Sequence, residues 1–248
     1  ETVLFDDTLL PETPDAIFPN NWISFHENYS IVLYPMLAEN RRLEKRPDVV
    51  EYFKTTDTRI IDLSENEQKG IFLEGTGSIV FDYENKIAYA CGSARTDKNL
   101  LEKLCKELGY KSLVFNATDK NGAAIYHTNV LMCIGKGFAV LCTECITDDP
   151  ETIISSLKTT GHELIEISTA QMNCFAGNMY QLFNKNGRSF IVMSEQAFQS
   201  LNKTQIMQLE KYGTLLHIPL YTIEKHGGGS ARCMIADVRC EKVSFKLI

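Results

Sequence analysis

The sequence lacks an excess of positive charge and has no long apolar run. Its 248 residues contain 25 Lys and Arg against 32 Asp and Glu, which gives a net charge of −7. Nucleic acids and anionic membranes are bound through basic surfaces, so neither is expected as a partner. No apolar stretch approaches the roughly 20 residues that cross a bilayer, so we expect no membrane segment either.

The sequence also lacks regular cysteine spacing. Several of its eight cysteines, among them Cys91, Cys105 and Cys133, lie in apolar runs, where a free thiol behaves as a small buried hydrophobe. Cys142 and Cys145 form a C-x-x-C pair, but no second pair completes a zinc site. We therefore expect free thiols in a reducing cytoplasm, and neither a metal nor an organic cofactor.

What the sequence does have is an internal period. Glycines at 109, 161 and 213 each end a predicted helix and precede an apolar strand, and they are spaced 52 residues apart. The same step backwards reaches Asp57, before another apolar run, and then Phe5. Each unit reads as strand, strand, helix, strand, and units of this size bury their faces by stacking on one another. The pattern predicts one α/β domain over residues 1–248, with four ββαβ units and the end of a fifth at Phe5.

Helix and turn signals support the units independently of the period. "NLLEKLCKELG" places four leucines on one face before its terminal Gly109. In "DDPETIISSLKTTG", Asp149 is the expected N-cap, Pro150 the first helical residue and Gly161 the stop. "NKTQIMQLEKYG" repeats this pattern up to Gly213, and the segments "YENK" and "GKG" have the composition of hairpin turns.

The period also places chemically useful residues in equivalent positions. Between the end of one unit and the start of the next lie Asn21, Glu74, His127, Asn178 and Cys233. If the units are arranged around a pseudo-rotation axis, these positions converge at one end of it. Cysteine, histidine and carboxylate together provide a nucleophile, a proton carrier and an orienting group.

Three consecutive glycines, at 227–229, stand just before Cys233. Glycine loses more backbone entropy on folding than any other residue, so such a run needs a reason. It is either a flexible turn or a loop that presents Cys233 to a substrate.

Five segments carry a resemblance to a known family: "PDAIFPNNW", "LEGTGS", "CGSART", "YHTNVLM" and "GGGSARCM". They resemble motifs of the guanidino-group-modifying superfamily, which includes arginine deiminases, dimethylarginine dimethylaminohydrolases and amidinotransferases. The resemblance is closest to the bacterial branch of amidinotransferase-like, citrulline-utilisation hydrolases. It implies a pentein-type α/β propeller of five pseudo-symmetric ββαβ units. Relatives carry one more ββα segment before the first residue here, so the first unit is expected to be incomplete and the propeller open.

The resemblance implies roles for the reacting groups. Cys233 would attack the central carbon of a guanidinium or ureido group, and His127 would protonate the departing amine and then activate water. Glu74 would either hold His127 or bind a substrate nitrogen. In this reading, the glycines before Cys233 let the backbone pass close to the substrate.

The resemblance also implies substrate-binding residues. Arg95 would hold the substrate α-carboxylate, and Asp15 would grip guanidinium nitrogens. Arg41 or Arg42 is expected to add a second contact, with Arg42 as the candidate. The whole run "RRLEKR" is, however, interpreted more readily as a solvated helix start.

Three asparagines, Asn20, Asn21 and Asn129, stand where relatives carry acids. A cationic guanidinium favours carboxylates, whereas a neutral ureido group is complemented by an amide, which both donates and accepts. Citrulline and arginine therefore stay open as alternative substrates, since Asp15 and Glu74 could suffice for a guanidinium.

The function expected from the sequence is a hydrolase acting on C–N bonds of a small guanidino or ureido amino acid. An amidinotransferase that passes the group to an amine is the alternative within the same chemistry. A non-catalytic binding protein is the alternative outside it, because ribosome anti-association factors share the fold.

Overall fold

The computed structural model describes residues 3–7 and 9–239. Within these residues the chain forms four three-stranded sheets, each built from three consecutive strands. The strands are β1 (Ile23–Phe25), β2 (Ser30–Leu33), β3 (Arg59–Asp62), β4 (Val80–Asp82), β5 (Ile87–Cys91), β6 (Lys111–Phe115), β7 (Met132–Gly135), β8 (Phe138–Leu141), β9 (Glu163–Glu166), β10 (Tyr180–Phe183), β11 (Ser189–Ser194) and β12 (Thr214–Ile218).

All four units share one topology. The first strand pairs with the second in antiparallel fashion, and the second pairs with the third in parallel. A parallel pair needs a crossover connection, and helices supply it in each unit. The helices are α1 (Glu39–Arg42), α2 (Pro47–Phe53), α3 (Gly75–Ser78), α4 (Lys98–Leu108), α5 (Thr128–Leu131), α6 (Pro150–Thr159), α7 (Thr169–Met172), α8 (Glu195–Ser200), α9 (Lys203–Glu210) and α10 (Tyr221–Gly227). The mixed α/β fold with repeated ββαβ units, predicted from the period, is thus observed.

The helix boundaries follow from their caps. Asp97 and Asp149 accept backbone N–H groups at the starts of α4 and α6, and Gly109 ends α4 in the left-handed region with φ 78°. Helix α9 differs from the expectation, because it ends at Glu210 before Gly213 is reached. A Cβ at Gly213 would lie 2.7 Å from the Ser189 hydroxyl, so this glycine is needed for the close approach of β12 to β11.

Both predicted hairpins are present. The "YENK" turn joins β4 to β5, with Lys86 at φ 54°, and the "GKG" turn joins β7 to β8, with Gly137 at φ 81°. Residues with positive φ are typical of such turns, since the backbone must reverse within a few residues.

The strand expected at Phe5 is not formed. Residues 3–7 make no strand pairing, and the Phe5 ring instead packs edge-on against Tyr52 at 5.4 Å and against Phe53 at 6.1 Å between ring centroids. Aromatic packing on α2 therefore positions this segment, rather than a sheet.

Helices α6 and α9 are anchored in the largest apolar cluster by fully buried side chains such as Ile153, Leu157 and Leu209.

No helix in the described part of the chain is long and apolar enough to cross a membrane. Cys142 and Cys145 are buried free thiols with their sulfurs 3.2 Å apart. The described residues contain no cluster of His, Cys, Asp or Glu that could hold a metal ion.

Candidate active site

Five short segments, which we call the lead-in segments, precede or follow the four units. Four of them lead directly into the first strand of a unit: the 3₁₀ helix Pro19–Asn21 before β1, α3 before β4, α5 before β7 and residues 175–178 before β10. The fifth is the 3₁₀ helix Ala231–Met234, which follows α10. The structure thus brings together the segments that the period had placed in equivalent positions.

The first three lead-in segments are packed together through glycines. A Cβ added to Gly75 would lie 2.3 Å from the Asn20 carbonyl oxygen. One added to Gly77 would lie 2.2 Å from Asn21 Nδ2 and 2.9 Å from His127 Nδ1. Both distances to the asparagine segment are shorter than any real Cβ contact, so this part of "LEGTGS" admits only glycine without a shift of its neighbours.

The triple glycine before Cys233 has a comparable packing role. A Cβ on Gly227 or Gly229 would lie 2.7–2.8 Å from the Phe18 ring, and Gly228 ends α10 with φ 70°. The Tyr126 hydroxyl donates to the Gly228 carbonyl at 2.9 Å. The run is therefore a fitted loop that seats the last lead-in segment against Phe18.

The lead-in segments enclose a cavity of about 170 Å³. Six residues predicted from the sequence line it, and they are Asp15, Asn21, Arg95, His127, Asn129 and Cys233. Glu74 lies behind His127, and the buried Asn20 also lies behind the lining. Arg42 does not line this cavity.

A larger cavity, of about 370 Å³, meets the first one only at Asn129. Its walls include Tyr83, Tyr180, Arg232 and Arg239, but neither Cys233 nor His127. The wall of the larger cavity also contains a cysteine and a histidine, Cys133 and His162, but burial raises the pKa of the Cys133 thiol to about 12. We therefore treat the smaller cavity, which Cys233 and His127 line, as the candidate active site.

Glu74 is fully buried and its carboxylate is fully engaged. Oε2 accepts from His127 Nε2 at 2.7 Å and from Arg95 Nη1 at 2.9 Å, and Oε1 accepts the Leu37 N–H at 2.9 Å. Burial opposes ionisation, but the hydrogen bond from His127 and the neighbouring positive charges outweigh it and lower the pKa of Glu74 to about 2. Of the two sequence-based roles, this geometry matches the one in which Glu74 holds His127.

His127 is buried, with one ring nitrogen held by Glu74. Burial lowers the pKa of the imidazole, and this effect exceeds the opposing hydrogen bond to Glu74. Within the described residues Nδ1 has no hydrogen-bond partner, and it lies beside Asn21 Nδ2 across Gly77. A neutral imidazole with one fixed and one open nitrogen can accept a proton from a group in the cavity.

Cys233 is 6% exposed and forms no disulfide with another cysteine in the described part of the chain. Its sulfur lies 3.3 Å from Asn178 Nδ2 and 3.4 Å from Asn129 Nδ2. Asn178 occupies the fourth equivalent position in the period, yet its sequence context did not mark it as a site residue. Only its contact with the sulfur identifies it.

The second arginine of the site is Arg41, and the expectation for Arg42 is not met. Arg42 donates to the carbonyls of Met36 and Leu37, at 3.0 and 3.1 Å, and does not line the cavity. Arg41 does line it, and is buried beside Glu44 with two hydrogen bonds of 2.8 and 2.9 Å. The expectation that the whole run "RRLEKR" is solvated is likewise wrong for this buried pair.

Arg41 also orders the asparagine segment. Its Nη1 donates to Asn21 Oδ1 at 2.9 Å, and its Nη2 lies within 3.3 Å of the Phe18 carbonyl. Burial opposes the charge on Arg41, but the carboxylate of Glu44 outweighs it and raises the pKa of the guanidinium. Arg41 is therefore a permanent cation that fixes how Asn21 faces the cavity.

Several buried amide atoms here have no hydrogen-bond partner within the described residues. They include Asn21 Nδ2, Asn129 Oδ1 and both side-chain polar atoms of Asn20. Because an arginine can only donate, its bond to Asn21 fixes that amide with the oxygen toward Arg41 and the nitrogen free. Both residues line the cavity, so its wall contains an unpaired donor at Asn21 and an unpaired acceptor at Asn129.

A family model described as N,N dimethylarginine dimethylhydrolase, eukaryotic, matches residues 1–240 of the chain. A search of curated proteins found no match to this chain.

Solved structures show a similar fold. ArgZ, an arginine dihydrolase from the ornithine-ammonia cycle in Cyanobacteria, superposes with a TM-score of 0.73 and 19% identity over 94% of this chain. This chain spans only 32% of that ArgZ chain, but 78% of the ArgZ N-terminal domain bound to substrate, where the TM-score is 0.71 and the identity 20%. A dimethylarginine dimethylaminohydrolase adduct with S-methyl-L-thiocitrulline gives a TM-score of 0.61 and 16% identity over 89% of this chain and 76% of its own.

Proposed function

The chain belongs to the family described as N,N dimethylarginine dimethylhydrolase, eukaryotic, and on that premise we propose that it hydrolyses a guanidino or ureido amino acid through Cys233. Membership confirms the superfamily indicated by the sequence motifs, and with it an enzyme that acts on C–N bonds. The observation that supports the specific proposal is the shared cavity, in which Cys233 and the Glu74-held His127 face the same space.

The first chemical step is attack by the Cys233 sulfur on the central carbon of the substrate group. The bond between Sγ and that carbon forms, a C–N bond breaks, and the departing amine takes a proton from the imidazole of His127. Burial lowers the pKa of His127, so its imidazole is neutral before this step. It can therefore take that proton from the Cys233 thiol.

The second step releases the covalent intermediate. Water gives a proton to His127 and adds to the carbon, the C–S bond breaks, and the imidazolium returns the proton to the departing sulfur, which restores the thiol. Glu74 stabilises the imidazolium in both steps, because its carboxylate is ionised and 2.7 Å from His127 Nε2.

The charged side chains orient the rest of the substrate. Arg95 uses one nitrogen on Glu74 and its guanidinium lies 5.6 Å above the Tyr126 ring, which leaves donors for a substrate α-carboxylate. Asp15 is the only carboxylate among the described residues that line the cavity, and it would take a substrate nitrogen.

The asparagines favour a ureido group over a guanidinium. Asn21 Nδ2 is a donor that needs an oxygen, and a guanidinium has only N–H donors to offer. A ureido oxygen satisfies Asn21, while a ureido N–H satisfies Asn129 Oδ1. Citrulline-like substrates are therefore favoured. Arginine is the alternative substrate to test beside citrulline, because ArgZ is an arginine dihydrolase.

The test is parallel incubation of the protein with L-citrulline, L-arginine and N,N-dimethylarginine, with products identified by mass spectrometry. Cys233→Ala is the matched control. We expect ornithine from citrulline with the unmodified protein and none with the variant. Citrulline as the end product from arginine would contradict the asparagine argument but support the hydrolase.

Two further results would reject the proposal itself. Turnover that survives in Cys233→Ala would exclude the covalent route. Transfer to an added amine such as glycine, with no release by water, would select the amidinotransferase alternative.

A further inference from the structure

Two side-chain amides point their N–H groups at the Cys233 sulfur. Asn178 Nδ2 lies 3.3 Å from Sγ and Asn129 Nδ2 lies 3.4 Å from it. Both asparagines are 1% exposed, so these donors are shielded from water. The thiol can also donate to Asn178 Oδ1, but over a longer distance of 3.7 Å.

Neighbouring backbone groups fix the orientation of the Asn178 amide. Its Oδ1 accepts the Arg232 N–H at 3.0 Å, and its Nδ2 donates to the Asn129 carbonyl at 2.9 Å. If the amide were rotated by 180°, its nitrogen would face the Arg232 N–H and its oxygen would face the Asn129 carbonyl, and neither contact could be a hydrogen bond. The second Nδ2 hydrogen is therefore directed at Sγ.

No cation makes this contact in the described part of the chain. Arg41 donates hydrogen bonds to Glu44 and Asn21, and Arg95 donates one to Glu74. The Arg232 guanidinium lies 4.2 Å above the Tyr180 ring, and both residues line the larger cavity. A buried thiolate needs donors, since an unpaired charge away from water is costly.

We propose that Asn178 and Asn129 form a donor pair that stabilises the Cys233 thiolate. This inference rests on the proposed function, in which Cys233 is the nucleophile. Asn178 thereby becomes a catalytic residue that touches the reacting sulfur, and Asn129 serves the nucleophile with its nitrogen while its oxygen stays open to the substrate. A donor pair of amides gives the thiolate hydrogen bonds that do not depend on the protonation state of His127.

The experiment follows the alkylation rate of Cys233 by iodoacetamide between pH 5 and 10, with the modified peptide quantified by mass spectrometry. Asn178→Ala removes one donor, and Asn178→Asp replaces it with a carboxylate that can still accept the Arg232 N–H. The other groups facing Cys233 stay unchanged in these variants, namely Asp15, Arg41, Arg95, Tyr126 and His127 with Glu74.

The midpoint should rise by about 0.5–1 pH unit in Asn178→Ala, because the thiolate loses one of its two amide donors. It should rise further in Asn178→Asp, because a like charge then faces the thiolate. Gln205→Ala is the control, since it removes a buried amide that donates to the Glu166 carbonyl far from the sulfur. Its midpoint should equal that of the unmodified protein.

Circular dichroism melting establishes that each variant is folded. Should Asn178→Ala fail to fold, Asn129→Ala removes the other donor and must raise the midpoint in the same direction. A midpoint that stays constant or falls in a folded variant overturns the proposal. Alkylation needs no turnover, so a shifted midpoint without activity on any amino acid would reject the proposed function and keep the donor pair.

Discussion

Gly77 offers the sharpest test of how the lead-in segments determine the site. The residue lies in α3 and its φ is outside the left-handed region, so alanine at this position would normally stabilise the helix by about 1 kcal/mol. The structure predicts the opposite for Gly77→Ala, because the added Cβ would lie 2.2 Å from Asn21 Nδ2 and 2.9 Å from His127 Nδ1.

The magnitude follows from what has to move. Displacing Asn21 breaks its 2.9 Å bond from Arg41 Nη1, and a hydrogen bond to a charged group is worth about 1.5–3 kcal/mol. After subtracting the helix gain, the free energy of unfolding should fall by about 0.5–2 kcal/mol. His127 must also shift by a few tenths of an ångström, and since misplacement of about 1 Å costs about 10²-fold, kcat/KM should fall by about 4- to 10-fold.

Urea denaturation and steady-state turnover of citrulline or arginine measure the two effects. Gly109→Ala is the matched control, since Gly109 has φ 78° and open space around its Cβ position. That variant should lose about 1 kcal/mol of stability and keep its kcat/KM. Unchanged activity in Gly77→Ala, or equal losses of activity in both variants, would refute the packing argument.

Three further perturbations have defined outcomes. The pKa of Glu74 is lowered from 4.5 to about 2, so the ionised carboxylate contributes about 3 kcal/mol to the free energy of unfolding above pH 4.5. That contribution is lost as the pH falls towards 2. In urea titrations, stability should therefore fall less across this pH range in Glu74→Gln than in the unmodified protein. Burial raises the pKa of Cys105 and Cys133 to about 12, so both should resist alkylation at pH 8 until the protein is denatured, whereas the partly exposed Cys174 should react in the native protein. Ile153→Ala should cost about 2–5 kcal/mol in urea denaturation without changing the dependence on denaturant, because the side chain is fully buried in the largest apolar cluster.

The period was enough to predict which parts of the chain meet. Identical units place residues of equal phase at the same place in each unit, so Glu74, His127 and Cys233 could be grouped although they are far apart in sequence. The same phase pointed to Asn178, but asparagine is common and its residue type alone indicates no reaction. The orientation of its amide depends on the Arg232 and Asn129 backbones, which no local pattern specifies.

The sequence could not decide between neighbouring residues. Arg41 and Arg42 sit side by side on the four-residue α1, where successive side chains point about 100° apart. Which of them faces the cavity depends on how α1 is rotated, and the Glu44 contact determines that in the folded chain. In the same way, the glycine run showed that something must approach closely, but not that Phe18 is what approaches.

The order of the lead-in segments has a consequence for biosynthesis. The reacting and binding groups come from several units, and Cys233 comes last among them in chain order. A ribosome therefore completes the carboxylate, the imidazole and both amides before the thiol is made. A nascent chain that has not yet reached Gly229 lacks the surface against which the Phe18 ring packs in the folded protein. In chain order, the proposed nucleophile thus follows both amides that contact its sulfur.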